Sequence, residues 1–241
     1  TAVLTDQGRI ACETVVNCAC IWARRIGQMA GVAIAAGAVE HQYFVTEKKL
    51  DLPRTLPTLR DPDRLFYLKP DVGAFAIGGW EPNTRPLWRQ GVPPGFAREL
   101  FPPDMERLEQ IAVPAAERLP VLNEIGIRTV INGPIPVSAN GEPVVGLASE
   151  LDNFFVACGF TAGIAASGGA GEAMANWILD GDPGMDLWAF DIRRFGAPQA
   201  NARYLEARMV ESYGRYYAVH FPGEEMVSAR RTRPSALRDS G

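Results

Sequence analysis

The chain has 241 residues, 47% of them hydrophobic and 22% charged, enough to bury the core of one large domain or two small ones. A formal net charge of −4 argues against a nucleic-acid partner, which calls for a basic surface. No apolar run approaches the roughly 20 residues that span a bilayer, and the opening TDQGR segment is no signal peptide. The expected setting is the cytoplasm, or the mitochondrial matrix in a eukaryote.

In chain order, Thr1–Leu4 and Arg9–Cys12 read as a hairpin closed by DQG turn chemistry, an abrupt start that suggests a fragment. Val15–Cys18 reads as a short buried strand, followed by a helix over about Trp22–Ala30 that stops at Gly31. Cys12, Cys18, Cys20 and Cys158 form no disulfide framework or zinc motif and are expected as buried free thiols. His41–Thr46 reads as a strand with His41, Tyr43 and Val45 on one face. The Pro-rich segment 51–63 is a loop, and Leu65–Lys69 with Gly73–Trp80 forms an antiparallel hairpin. Segment 81–103 is read as irregular. Asp104–Arg118 is a helix with Asp104 as N-cap and Pro114 placed to kink or shorten it. Arg128–Asn132 and Val144–Val145 are strands separated by an Asn140-Gly141 turn. Phe154–Cys158 is a strand leading through glycines 159, 163, 168, 169 and 171 into a helix that ends at Gly181. DIRRF, residues 191–195, precedes a helix over about Asn201–Tyr217 and an Arg-rich tail. Strands and helices alternate without a regular βαβ rhythm, so the fold class is α+β with an antiparallel sheet.

Several segments carry candidate chemistry. The glycine-rich stretch 159–171 permits close backbone approach to a ligand at a helix N-terminus, though tight packing of small residues is the competing reading. VVNCACIWA, residues 15–23, is a strand ending in small residues before a helix, where a cofactor can rest. His41 and Tyr43 are placed to line a pocket, His41 as a base and Tyr43 as a hydrogen-bonding group, against the alternative of a half-buried strand. Tyr67 and Lys69 share a strand face and could hold a carboxylate, against an exposed lysine beside a packed tyrosine. The guanidiniums of DIRRF and ARRTRP are expected to bridge domains, with Asp191 or Glu211 as partners. No metal motif or Ser-His-Asp arrangement stands out, so the chemistry falls to a cofactor.

VVNCACIWA, RIGQMAGV, EHQYFVTE, LPTLRDPDRLFYLK, IGGWEPN, INGPIPVSANGEPVVG, FFVACGF, AGIAASGGAGEAMANWILDG and DLWAFDIRRF together resemble the sarcosine and dimethylglycine dehydrogenase family of FAD-dependent amine oxidoreductases. The resemblance implies part of a Rossmann-like FAD-binding domain, an antiparallel substrate-binding sheet and the start of a middle domain. Residues 1–30 would end one FAD-binding section, 31–150 form the substrate sheet, 151–181 return to FAD, and 182–241 begin the middle domain. A GxGxxG motif would lie upstream and a tetrahydrofolate-binding domain downstream, so residues 1–241 alone are expected to hold FAD poorly. The implied reaction is oxidative demethylation of a small N-methyl amino acid by hydride transfer to flavin. By the resemblance, Tyr43 and His41 are catalytic and face a small-molecule amine. Tyr67 and Lys69 are candidates for binding that substrate. Ala19, Cys20, Trp22, Gly159, Phe160, Ala162, Gly163 and Ile164 approach the flavin.

The chain departs from the family pattern at several points. Ala19-Cys20 replaces an AG pair, and GFTAG is one residue shorter than GFNSAG. Segment 134–140 lacks two acids, and Lys69 stands where arginine is usual, losing bidentate grip on a carboxylate. Two other readings follow from these departures: an inactive fragment or interaction module of the same fold, and an oxidoreductase for another secondary or tertiary amine.

Overall fold

The computed structural model describes residues 1–49, 53 and 55–228. Strands β1 (Ala2–Thr5) and β2 (Gly8–Ala11) form the expected hairpin, pairing Ala2 with Ala11 and Thr5 with Gly8. Strand β3 (Val15–Asn17) ends earlier than expected, because Cys20–Trp22 turns as a 3₁₀ helix into α1 (Ala23–Met29). Asn17 closes this turn: its Nδ2 donates to Ala23 O at 2.9 Å and its Oδ1 accepts from Ala19 N. Strand β4 (Ala36–Thr46) is longer than expected. It is followed by β5 (Leu59–Asp61), β6 (Phe66–Asp71), β7 (Ala74–Gly79) and the short β8 (Pro86–Leu87). Val72 and Gly73, both at positive φ, make the tight turn between β6 and β7.

Helix α2 (Met105–Arg118) starts as its sequence dictates, with the Asp104 carboxylate accepting from Arg107 N. Pro114 does not shorten it. Leu108, Ile111 and Ala115 are buried, and packing of that face outweighs one missing intrahelical hydrogen bond. Strand β9 (Ile127–Ser138) extends six residues past the expected end and includes Pro134 and Pro136. Its ladder partner is β4, and a strand at a sheet margin tolerates the missing donors. Strands β10 (Val144–Leu147) and β11 (Phe154–Cys158) precede α3 (Gly163–Asp180), capped by Gly181 at φ +79. Helix α4 (Ala202–Gly214) stops three residues before the expected Tyr217.

The chain divides into two compact units. The first comprises residues 1–38, 88–93 and 136–209. It holds a three-stranded sheet ordered β10-β11-β3, in which β11 and β3 run parallel and β10 is antiparallel to β11. Ala23, Val32, Ile34, Val144, Phe154 and Val156 fill one core against this sheet. Met174 and Trp177 of α3 pack on Val145 and Phe155 in a second. Gly146 (φ +110) is required there: a Cβ would stand 2.6 Å from the Trp177 ring.

The second unit comprises residues 39–87, 94–135 and 210–241 and carries the sheet order β5-β6-β7-β4-β8. One face of that sheet presents Phe44, Phe66, Leu68, Phe75 and Ile77 to Leu108, Ile111 and Ala115 of α2. The opposite face carries His41, Tyr43, Tyr67 and Trp80. Among the described residues no helix is long and apolar enough to cross a membrane.

Candidate active site

Strand parity and register assemble the polar face of the second unit. Tyr43 pairs with Gly78 and Gly78 with Tyr67, while Arg60 pairs with Tyr67 on the far side. Arg60, Tyr67, Gly78 and Tyr43 therefore lie in one row across four strands. Gly78 is small for a steric reason: a Cβ there would meet the Tyr67 hydroxyl at 2.3 Å, so the Tyr67 ring lies across it toward Tyr43. Burial, then the neighbouring Tyr217 and Tyr43, push the Tyr67 phenol well above its ordinary value, so it stays protonated.

Lys69 shares the face of Tyr67 but is exposed, in register with Ala76. Arg60 is exposed as well, but its guanidinium is held 3.9 Å over the Tyr217 ring, itself edge-on to Tyr67, which makes it the cation beside Tyr67. Sequence reading missed Arg60; its one signal was the pairing of β5 with the strand that carries Tyr67.

One residue pair along this face, His41 packs 4.9 Å from the Trp80 ring, and Trp80 packs at a tilt against Tyr213 and Tyr216. His41 Nδ1 lies 2.8 Å from Tyr213 Oη. Burial, then the charge of Arg107, lower the His41 pKa to about 4, so its imidazole is neutral at physiological pH. Tyr213 Oη also lies 3.0 Å from Glu81 Oε2. Glu81 Oε1 accepts from Arg107 Nε at 2.9 Å and from Arg107 Nη2. Arg107 reaches on to Glu40, which Asn132 Nδ2 also contacts at 2.6 Å. Tyr213, Glu81, Arg107, Glu40 and Asn132 are all buried. None of these five was singled out from the sequence, because they lie far apart along it.

The remaining candidates fall in the first unit. Strands β3 and β11 are parallel neighbours, so Cys18–Cys20 and Gly159–Phe160 follow adjacent carboxyl ends of a parallel pair, where α/β sheets receive ligands. Gly159 sits at φ +70. Ala162 is the N-cap of α3 and offers no side-chain cap, which leaves the first N–H groups of the helix, from Gly163 and Ile164, for another acceptor. The Ile164 side chain is 97% exposed. Trp22 is partly buried, with its N–H donating to Ala19 O at 2.8 Å. The uncapped N–H groups of Gly163 and Ile164 fit the oxygens of an FAD isoalloxazine or ribityl chain.

Three expectations need correction here. Gly163, Gly168, Gly169 and Gly171 lie within α3 and not in a loop, and a Cβ at the last three would meet nothing within 4 Å, so close packing does not explain them either. Of the four cysteines, all free, only Cys158 is buried; Cys18 and Cys20 are exposed because the strand ends before them. Burial, then the nearby Cys20 and Cys18 thiols, raise the Cys158 thiol to about 12. Cys20 adopts φ +51, a left-handed conformation, at the position where the resemblance implies glycine. The arginines of DIRRF stay within the first unit. Arg193 pairs with Asp191, and Arg194 donates to the carbonyls of Phe190, Asp191, Glu142 and Pro143 and to Asn140 Oδ1. Glu211 accepts from the N–H groups of Val227 and Ser228 and pairs with Arg215. The ARRTRP cluster lies outside the described residues.

Comparison with known proteins agrees with this architecture. The family described as FAD dependent oxidoreductase matches residues 1–177, and the FAD dependent oxidoreductase central domain matches residues 180–235. Mitochondrial sarcosine dehydrogenase of Mus musculus is 38% identical over 240 residues, covering 99% of this chain and 26% of that protein. Mitochondrial dimethylglycine dehydrogenase of Rattus norvegicus is 37% identical over 239 residues, covering 96% of this chain and 28% of that protein. The chain thus spans about a quarter of the length of these curated relatives. In fold it resembles L-proline dehydrogenase from P. horikoshii, with a TM-score of 0.68 at 24% identity over 80% of this chain and 50% of that one. The α+β class, with an antiparallel sheet joined to part of an FAD-binding domain and the start of a central domain, holds. With its sheet topology, its glycine-flanked strand ends and nearly three quarters of its length matched, the chain belongs to the FAD dependent oxidoreductase family.

Proposed function

We propose that this chain is the substrate-side portion of an FAD-dependent enzyme that oxidises a small N-methyl amino acid such as sarcosine or dimethylglycine. The observation that carries the reading is the row Arg60, Tyr67, Tyr43 with His41 on one sheet face, in a chain 37–38% identical to two N-methyl amino acid dehydrogenases. When bound, FAD supplies the hydride acceptor. Ala19, Cys20, Trp22, Gly159, Phe160, Ala162, Gly163 and Ile164 would hold its ring and ribityl chain.

On the substrate side, Arg60 supplies the positive charge for the substrate carboxylate, a role the sequence had given to Lys69. The Tyr67 and Tyr43 hydroxyls accept from the substrate ammonium or donate to its carboxylate, and so orient it. Neutral His41 offers a lone pair to the amine proton, which must leave before the N-methyl carbon gives up hydride. Trp80 and the aromatic rings packed around it exclude water from this end of the face. The reading assigns no residue of this chain to the electron acceptor that reoxidises the flavin or to a folate.

The test is Tyr43→Phe in the FAD-loaded protein, mixed anaerobically with sarcosine or dimethylglycine. The flavin reduction rate should fall by on the order of 10²-fold, with little loss of thermal stability. Unchanged reduction would remove Tyr43 from the site. Full activity with a different secondary or tertiary amine and none with these two would favour the alternative substrate. The same chain as an inactive interaction module would show no reduction with any amine.

A further inference from the structure

We propose that Tyr213 and Glu81, anchored by Arg107, are positioning residues that fix His41 as the Nδ1–H tautomer and leave Nε2 as the lone-pair acceptor on the polar sheet face. The argument is a count of protons. Glu81 Oε1 is occupied by Arg107 Nε and Nη2, so Glu81 is an ion-paired carboxylate with acceptors only. Its Oε2 lies 3.0 Å from Tyr213 Oη. Gly79 O, at 3.4 Å from the same hydroxyl, is also only an acceptor.

Tyr213 has a single proton, and burial, followed by Glu81, keeps it on the phenol. Aimed at His41, that proton would leave two acceptors facing each other in a buried site, an arrangement that costs the desolvation of both. Aimed at Glu81, it leaves Tyr213 Oη free to accept at 2.8 Å from His41 Nδ1, which must then carry hydrogen. Nε2 makes no hydrogen bond among the described residues. The groups that face the ring are Trp80, one residue past β7, Tyr213 from α4 and the Arg107 charge from α2, and none of them hydrogen-bonds Nε2 among the described residues. The same logic holds the imidazole of other acid–base histidines in a single tautomer through an acceptor on the second nitrogen.

The tautomer assignment stands on the hydrogen-bond geometry and a protonated Tyr213; its use in catalysis rests on the amine-oxidation reading. In the protein, the His41 signals are identified as those lost in His41→Gln, and the His220 signals as those lost in His220→Gln. His220, exposed and beside Arg215, serves as the internal reference. With ¹⁵N-histidine label, two-bond ¹H–¹⁵N correlation should show His41 with Nδ1 protonated and Nε2 bearing a lone pair, unchanged between pH 6 and 8.

Tyr213→Phe should release the lock and populate both tautomers. Glu81→Gln should reverse the relay, because its amide donates to Tyr213, whose hydroxyl then donates to Nδ1 and moves the histidine proton to Nε2. If Glu81→Gln does not fold, Tyr213→Phe decides alone, with amide spectra to verify its fold. An Nε2–H tautomer in the unmodified protein, or a tautomer unaffected by Tyr213→Phe, overturns the proposal. In the FAD-loaded protein, Tyr213→Phe should slow flavin reduction by roughly 10–100-fold with little change in KM. Correct tautomers with no such slowing would leave the relay standing and count against the amine-oxidation role of His41.

Discussion

At the residue scale, His41 has a measurable consequence for stability. Burial and Arg107 place its folded pKa at about 4, below the roughly 6.5 of an unfolded chain. Between those values the unfolded state binds a proton that the folded state refuses. Stability from this group is therefore fully present above about pH 6.5 and is lost as pH falls toward 4. The loss should reach on the order of 2–3 kcal/mol, read by urea denaturation at a series of pH values. His41→Gln should flatten that part of the curve, and an unchanged slope would mean that His41 titrates normally. The shared face of His41 and Tyr43 was legible from strand parity. Their supports were not: Tyr213 lies 172 positions from His41, and Glu81 lies 132 from Tyr213. Only the fold brings such residues together, and nothing in local pattern marks them.

At the element scale, local chemistry predicted well where one residue type has one mechanism. Asp104 before an amphipathic run means an N-cap, and α2 begins there. Asp104→Ala should destabilise the protein by about 1 kcal/mol, and Asp104→Asn, which keeps the capping oxygen, by much less. Equal losses would place the contribution of Asp104 in its ion pair with Arg85 instead. Prediction failed where a residue is permissive and not directive. Glycines 163–171 suggested a loop, yet the alanines among them carry the helix, and only Gly159 takes a conformation that needs glycine. Pro114 suggested a break, but α2 is held by its buried face. Strand β3 ended early because Asn17 caps the turn into α1 with its side chain, a signal easily passed over inside an apolar run.

At the scale of the whole molecule, the motif order led to the family, while the division into units was hidden. Each unit is assembled from three separate stretches of chain, and no composition shift marks the crossings at 38, 87, 93, 135 and 209. The candidate flavin-contacting residues belong to the first unit and the candidate amine-binding residues to the second. The central claim, oxidation at an N-methyl carbon, is tested most directly by anaerobic flavin reduction in the FAD-loaded protein with sarcosine and with N-methyl-deuterated sarcosine. The account predicts reduction by both, slowed several-fold by deuterium because the methyl C–H bond breaks in the step observed. A flavin that stays oxidised with sarcosine, dimethylglycine and their N-methyl homologues would contradict it.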